Sequence, residues 1–140
     1  MTFTDIKSLE RYILKCNESA ILVAQEKVYR VIKKFLDQYY AEYFPHEYIR
    51  TEQLLRSLVK SEVIKTPTGY IAQIYFDASS MEYKGWSGER VLHEAMVGGT
   101  HGGYVAPKNT KIWEESLSVL KTETYPMLKK ALIDAGIPIK

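Results

Sequence analysis

The sequence predicts an α+β fold. Its parts are a long N-terminal helix, a small antiparallel sheet (a hairpin plus a short strand), and C-terminal helices packed on one face. Three observations lead there. An apolar stripe at helical spacing runs from Ile6 to Tyr39 with no Gly or Pro before Pro45. An alternating run at Tyr70–Asp77 follows the turn Thr66-Pro67-Thr68-Gly69. A second helical stripe occupies the C-terminal thirty residues. With strands grouped between helices, the order fits helices laid on one side of a small sheet.

Thr4 or Asp5 caps the first helix. Its stripe is Ile6, Leu9, Ile13, Cys16, Ala20, Val23, Val28, Val31, Phe35 and Tyr39. Unbroken from Asp5 to Glu42, such a helix spans about 57 Å at 1.5 Å per residue. A compact domain of this length is roughly 35–40 Å across. The helix therefore bends or overhangs, and an overhanging apolar stripe calls for a partner. Asn17-Glu18-Ser19 is the weakest helical stretch and the expected bend. Phe44-Pro45 ends the helix. Thr51 is the expected cap of a short helix carrying Leu54, Leu55 and Leu58.

In the hairpin, Val59, Val63 and Ile64 form the outgoing strand. On the return strand Tyr70, Ala72, Ile74 and Phe76 share one face, and Ile71, Gln73 and Tyr75 the other. Both faces are apolar enough to predict a central strand. A further short strand is expected at Met81–Lys84, then a helix over Arg90–Met96 capped by Ser87. Six of the 8 glycines fall between Gly85 and Gly103 and predict a loop after Val97. Asn109 or Thr110 caps the last helix, whose stripe is Ile112, Trp113, Leu117 and Leu120. Pro126 kinks that helix or opens a second one, and Gly136 caps its end ahead of Pro138.

The 140 residues, 46% hydrophobic, suffice for a real core in a single domain over 1–140. With 19 Lys and Arg against 17 Asp and Glu, the net charge of +2 gives no bulk drive toward nucleic acid or a membrane. One cysteine, Cys16, permits no internal disulfide and fits a reducing compartment. No secretory leader or membrane-length apolar run is visible, so the expected place of synthesis is a cytoplasm. The 11 tyrosines include Tyr29, Tyr39, Tyr40, Tyr43 and Tyr48 in one region, a residue type suited to half-buried positions and interfaces.

Chemistry-bearing constellations are few. His93-Glu94 with His101 is the sharpest, as the ligand set of a metal-dependent hydrolase. The zinc-protease pattern needs two histidines four apart on one helix, whereas His101 lies eight residues on, past two glycines. Cys16 sits on the apolar stripe and reads as a small buried group. Gly85-Trp86-Ser87-Gly88 lacks the spacing of a nucleophile elbow, and the glycine loop has neither phosphate-binding pattern. Lys27, Arg30, Lys33 and Lys34 cluster around Tyr29, diluted by Glu26 and Asp37, and read as a solvated helix face before a nucleic-acid site.

Three stretches carry a family likeness. One is Tyr39-Tyr40, Tyr43-Phe44-Pro45, Tyr48, Arg50-Thr51, Leu54 and Ser57 in that spacing. The others are the strand pair ending near Phe76 and the segment Val91–Gly103. Together they resemble the head–tail joining and tail-completion (neck) proteins of tailed bacteriophages. Members often read Glu-Tyr-Gly-Thr before the glycine loop. Here Gly99-Thr100 is retained and Glu-Tyr is absent. The resemblance implies a virion subunit of a ring at the neck or tail, assembled in the host cytoplasm, with no catalysis and no cofactor. Implied partners are copies of itself and the adjacent connector or tail proteins, with no membrane and no specific nucleic acid. Candidate structural or interface residues are Tyr43, Tyr48, Arg50, Thr51, Gly98, Gly99, His101, Gly102 and Gly103. Arg50 would fix the chain after the first helix, and the Gly98–Gly103 loop would be a contact segment. The alternatives are the hydrolase on His93, Glu94 and His101, or a nucleic-acid-binding accessory protein.

Overall fold

The computed structural model describes residues 2–42, 52–97, 100–101, 104–105 and 114–139. The architecture is α+β, with helix α1 over Ile6–Glu42 as its spine. Its 37 residues give a length of about 55 Å. Asp5 starts it with a reciprocal cap. Its Oδ1 accepts from the Ser8 N–H at 2.7 Å, and its own N–H donates to Ser8 Oγ at 3.4 Å. The helix runs unbroken through Asn17-Glu18-Ser19. Weak propensity there totals only about 1–2 kcal/mol, and the flanking Cys16 and Ala20 are anchored by burial.

Helix α4, Ser116–Asp134, makes its largest contact with α1. It runs antiparallel: the Tyr12 hydroxyl donates to the Gly136 carbonyl at 3.2 Å and the Cys16 thiol to that of Ala135 at 2.9 Å. Cys16, Ala20, Ala24 and Ala131 are buried, so small side chains let the two helices approach. The end of α4 is a double cap. Gly136, at φ +104°, donates to the Ile133 carbonyl, and Ile137 donates to that of Leu132. The φ demands glycine, and a Cβ on Gly136 would also displace the Tyr12 hydroxyl that bonds its carbonyl. Pro126 neither ends α4 nor opens a new helix, but sits inside it on an exposed stretch. The predicted caps Asn109 and Thr110, with Ile112 and Trp113, lie outside the described residues; of the predicted stripe, Leu117 is exposed and Leu120 half-buried.

The hairpin consists of four three-residue strands. Strands β1 (Leu58–Lys60) and β4 (Ile74–Phe76) pair antiparallel, as do β2 (Ile64–Thr66) and β3 (Gly69–Ile71). Between the two ladders Ser61-Glu62-Val63 face only Ala72-Gln73, so the outgoing strand carries one extra residue, a bulge. Ser61 Oγ takes the Gln73 N–H at 2.9 Å, which frees the Ser61 carbonyl. Gln25 of α1 donates both amide protons there, to the carbonyls of Ser61 and Gln73, each at 3.0 Å. The expected alternation holds: Tyr70, Ala72, Ile74 and Phe76 are half-buried, and Ile71, Gln73 and Tyr75 exposed. The expected central position does not. Each ladder is two-stranded, and the second apolar face points outward.

Helix α2, Gln53–Ser57, precedes β1. The residue ahead of it is Glu52, in the left-handed region at φ 57° with no side-chain cap, rather than the expected Thr51. Leu58 leaves α2 and opens β1. The expected strand at Met81–Lys84 is reduced to a single bridge from Tyr83 to Trp86, preceded by a 3-10 turn at Ala78–Ser80 that starts with Asp77 Oδ1 accepting from Ser79 N–H. A tight turn follows, with Lys84 at φ 45° and Gly85 at φ 81°, closed by Tyr83 and Trp86. Ser87 then caps helix α3, Gly88–Val97, through the Arg90 N–H at 3.4 Å. A Cβ on Gly88 would fall 1.6 Å from the Ala78 carbonyl oxygen, so the 3-10 turn seats directly on the start of α3. Where a plain loop was expected, β5 (Thr100–His101) pairs with β6 (Tyr104–Val105). Leu36, Leu54, Leu58 and Met81 form the core, flanked by Tyr29, Ile32, Tyr39, Tyr40, Phe76 and Val91 among others.

Candidate assembly surfaces

The stripe read from the sequence is the seat of α4. Taking Ala20 as zero and about 100° per residue, Cys16, Ala24 and Val31 lie within about 40° of it on the helix surface. Ile6, Leu9 and Ile13 fall in the same sector, but α4 ends beside Tyr12 and Cys16. The first turns of α1 therefore carry the stripe past its cover: Ile6 is 84% exposed, and Leu9 and Ile13 are also exposed. This is the predicted overhang.

The sequence reading missed a second buried face. Gln25, Tyr29, Ile32 and Leu36, spaced four, three and four, lie about 120–180° from Ala20. They meet the hairpin and α2. The spacing itself was the available signal; a polar residue at its head concealed it. Lys60 of β1 reinforces this side. Its Nζ lies 2.6 Å from Glu26 and 4.8 Å from the centre of the Tyr29 ring. Lys60 first, then Arg30, holds the Glu26 carboxyl below its usual range. The hairpin's far side shows Ile64 opposite Ile71, both exposed, with exposed Tyr75 farther along.

Of the residues singled out from the sequence, Tyr43, Tyr48, Arg50, Thr51, Gly98, Gly99, Gly102 and Gly103 lie outside the described residues. His101 is placed by its backbone alone, paired with Tyr104. The ends of the first motif stretch are described and explain part of it. Leu54 and Ser57 are buried, and the Ser57 hydroxyl donates to the Leu54 carbonyl at 2.8 Å. Tyr39 and Tyr40 stack edge to face at 5.5 Å beside the same core. The motif thus begins and ends at the junction of α1 and α2.

The His93 ring is largely exposed on α3, 3.9 Å from Glu94. No group of three metal-ligating side chains occurs among the described residues. On the basic face, Arg30 pairs with Glu26 at 2.9 Å and Lys33 with Asp37 at 2.7 Å, so much of its charge is spent within the helix. Cys16 is a buried free thiol. Its hydrogen bond, followed by desolvation, raises the Tyr12 phenol above its usual range. Arg90 stacks on Trp86 at 3.9 Å, which in turn meets Tyr83 edge-on at 6.2 Å. No helix among the described residues is long and apolar enough to cross a membrane.

No curated protein and no solved structure matches the chain. The family model described as YomN matches residues 5–135, and the chain belongs to that family, which is phage-associated.

Proposed function

We propose that this YomN-family protein is a structural subunit of a phage neck or tail-completion ring that joins head to tail, acting by geometry without catalysis or cofactor. Family membership supports the phage origin. The likeness through Tyr43, Pro45, Tyr48, Arg50 and Thr51 supports the finer assignment.

The observation that carries the structural role is incomplete burial. Among the described residues only eight apolar side chains are buried, and three of these are alanines and one a cysteine. A core this thin leaves Ile6, Ile64, Ile71 and Tyr75 exposed, apolar surface that neighbours in an assembly would cover. In that role α1 is a stiff spine setting the spacing between contacts.

Deletion of the gene from its phage tests this reading. The expected result is a lysate of filled heads and separate tails in electron micrographs, with no metal bound to the purified protein. Intact, infectious particles from the deletion would overturn it.

A further inference from the structure

The tight turn ahead of α3 breaks a local rule. A two-residue turn with positive φ at both central positions is ordinarily Asn-Gly or Asp-Gly. Here it is Lys84-Gly85, with φ 45° and 81°. A lysine held in the left-handed region costs about 1–2 kcal/mol. Its ammonium makes no ion pair among the described residues. It lies instead 5.4 Å from the centre of the Tyr83 ring. Arg90, in the first turn of α3, also has no carboxylate partner there, and its guanidinium sits 3.9 Å from the centre of the Trp86 ring. Trp86 meets Tyr83 edge-on at 6.2 Å. Two cations are thus held against two touching rings on one small surface. We propose that this surface, made by Tyr83, Lys84, Trp86 and Arg90, docks a carboxylate-bearing segment of another protein.

The chemistry of the cations names the occupant. A guanidinium laid on an indole keeps its in-plane N–H fork, which matches a carboxylate with two parallel hydrogen bonds. The ring removes water from one face and fixes the side chain beforehand, so less ordering is left to the moment of binding. Tyrosine, tryptophan and arginine are also the types that dominate binding energy at protein interfaces. The support is firm. Tyr83 and Trp86 exchange backbone hydrogen bonds at 3.4 and 2.8 Å. Met81 lies in the core on one side of the turn, and Gly88 is buried at the start of α3 on the other. Local charge selects against nucleic acid. With His93 neutral, the stretch from Glu82 to Glu94 has the cations Lys84 and Arg90 against the carboxylates Glu82, Glu89 and Glu94. A phosphodiester backbone, charged at every nucleotide, meets that negative excess along its length. A single carboxylate meets only the fork. Glu89 does not compete for it: its own backbone N–H and then the Ser87 hydroxyl hold its carboxyl below the usual range, at the helix start. The inference is independent of the ring-subunit reading.

Heteronuclear NMR of the full chain tests it, read at the Trp86 indole N–H and the Arg90 Nε–H. The probe is a capped oligoglutamate peptide, with oligoglutamine of equal length and a single-stranded oligothymidine as comparisons. The expected result is saturable shifts of both signals with a Kd of about 1–10 mM for oligoglutamate, and none with oligoglutamine. Arg90→Lys keeps the charge but loses the planar fork, and should weaken binding about fivefold. Lys84→Asn suits the turn better, so it should melt at a higher temperature while binding about threefold more weakly. That opposed pair of effects separates a recognition role from a structural one. Absent shifts, equal shifts with oligoglutamine, or tighter binding of oligothymidine at these signals would overturn the proposal. So would shifts that follow protein concentration without peptide, which would make a second copy the occupant. Unchanged binding by either variant, with its fold intact by circular dichroism, would do the same.

Discussion

At the scale of single residues, the amide of Gln25 ties the spine helix to the sheet. It is buried and donates to the carbonyl of Gln73, which also accepts from the Ser61 N–H, and to that of Ser61, which the bulge leaves without a ladder partner. Replacing it with alanine strands the Ser61 carbonyl and removes one of the two bonds to that of Gln73, and Gln25→Ala should cost about 1–3 kcal/mol, measured by urea denaturation. Gln25→Glu should fare little better, since a carboxylate cannot donate. The sequence shows a glutamine among apolar residues but not the bulge that needs it, because a bulge depends on how many residues each strand spends between two ladders. Glu26, next in the chain, is legible as an i,i+4 partner of Arg30, yet its first partner is Lys60, thirty-four residues away. Its lowered carboxyl makes a signed prediction. The folded state binds this proton less readily than the unfolded chain, so the contribution is present above the ordinary glutamate value of 4.5 and lost as pH falls through the lower folded value. Glu26→Gln should therefore be less stable than the unaltered protein near neutrality, with the gap closing below about pH 4. Urea midpoints across that range, repeated in high salt, read it.

At the scale of elements, both ends of the chain's helical order were legible where a local rule governs them. Asp5 caps α1, Ser87 caps α3, and Gly136 closes α4 as the spacing of cap residues implies. Non-local choices were hidden. The apolar second face of the return strand reads equally well as a central strand or as an outer surface, and the two-stranded ladders among the described residues decide for the latter. Met81 looked like part of a strand and is instead a core plug behind a 3-10 turn. Pro126 is the element with the most room for improvement. It sits within α4 where neighbouring residues from Lys121 to Tyr125 are exposed, so little tertiary contact depends on its ring. Pro126→Ala restores a helix donor and should raise stability by about 1–3 kcal/mol, seen as a higher melting temperature. An unchanged or lower melting temperature would show that the ring shapes the α1–α4 seam.

At the scale of the whole molecule, the chain is a spine with cover on two opposite sides and apolar surface left over on both. Its length was readable from the uninterrupted stripe, and so was the overhang. The second buried face was not, because Gln25 heads it and Tyr29 shares its neighbourhood with lysines and arginines. The motif Tyr39–Ser57 carries the family likeness, and its described ends converge on the Leu36 core. In the proposed role as one repeat of an assembly, neighbours would cover the apolar surface that a single copy leaves exposed. The most direct test is quantitative mass spectrometry of purified particles from the source phage, with this chain measured against the major capsid protein. A small fixed number of copies per particle, as a ring requires, is the predicted result. Intact particles lacking the chain, while it is abundant in the same lysate, would contradict the account.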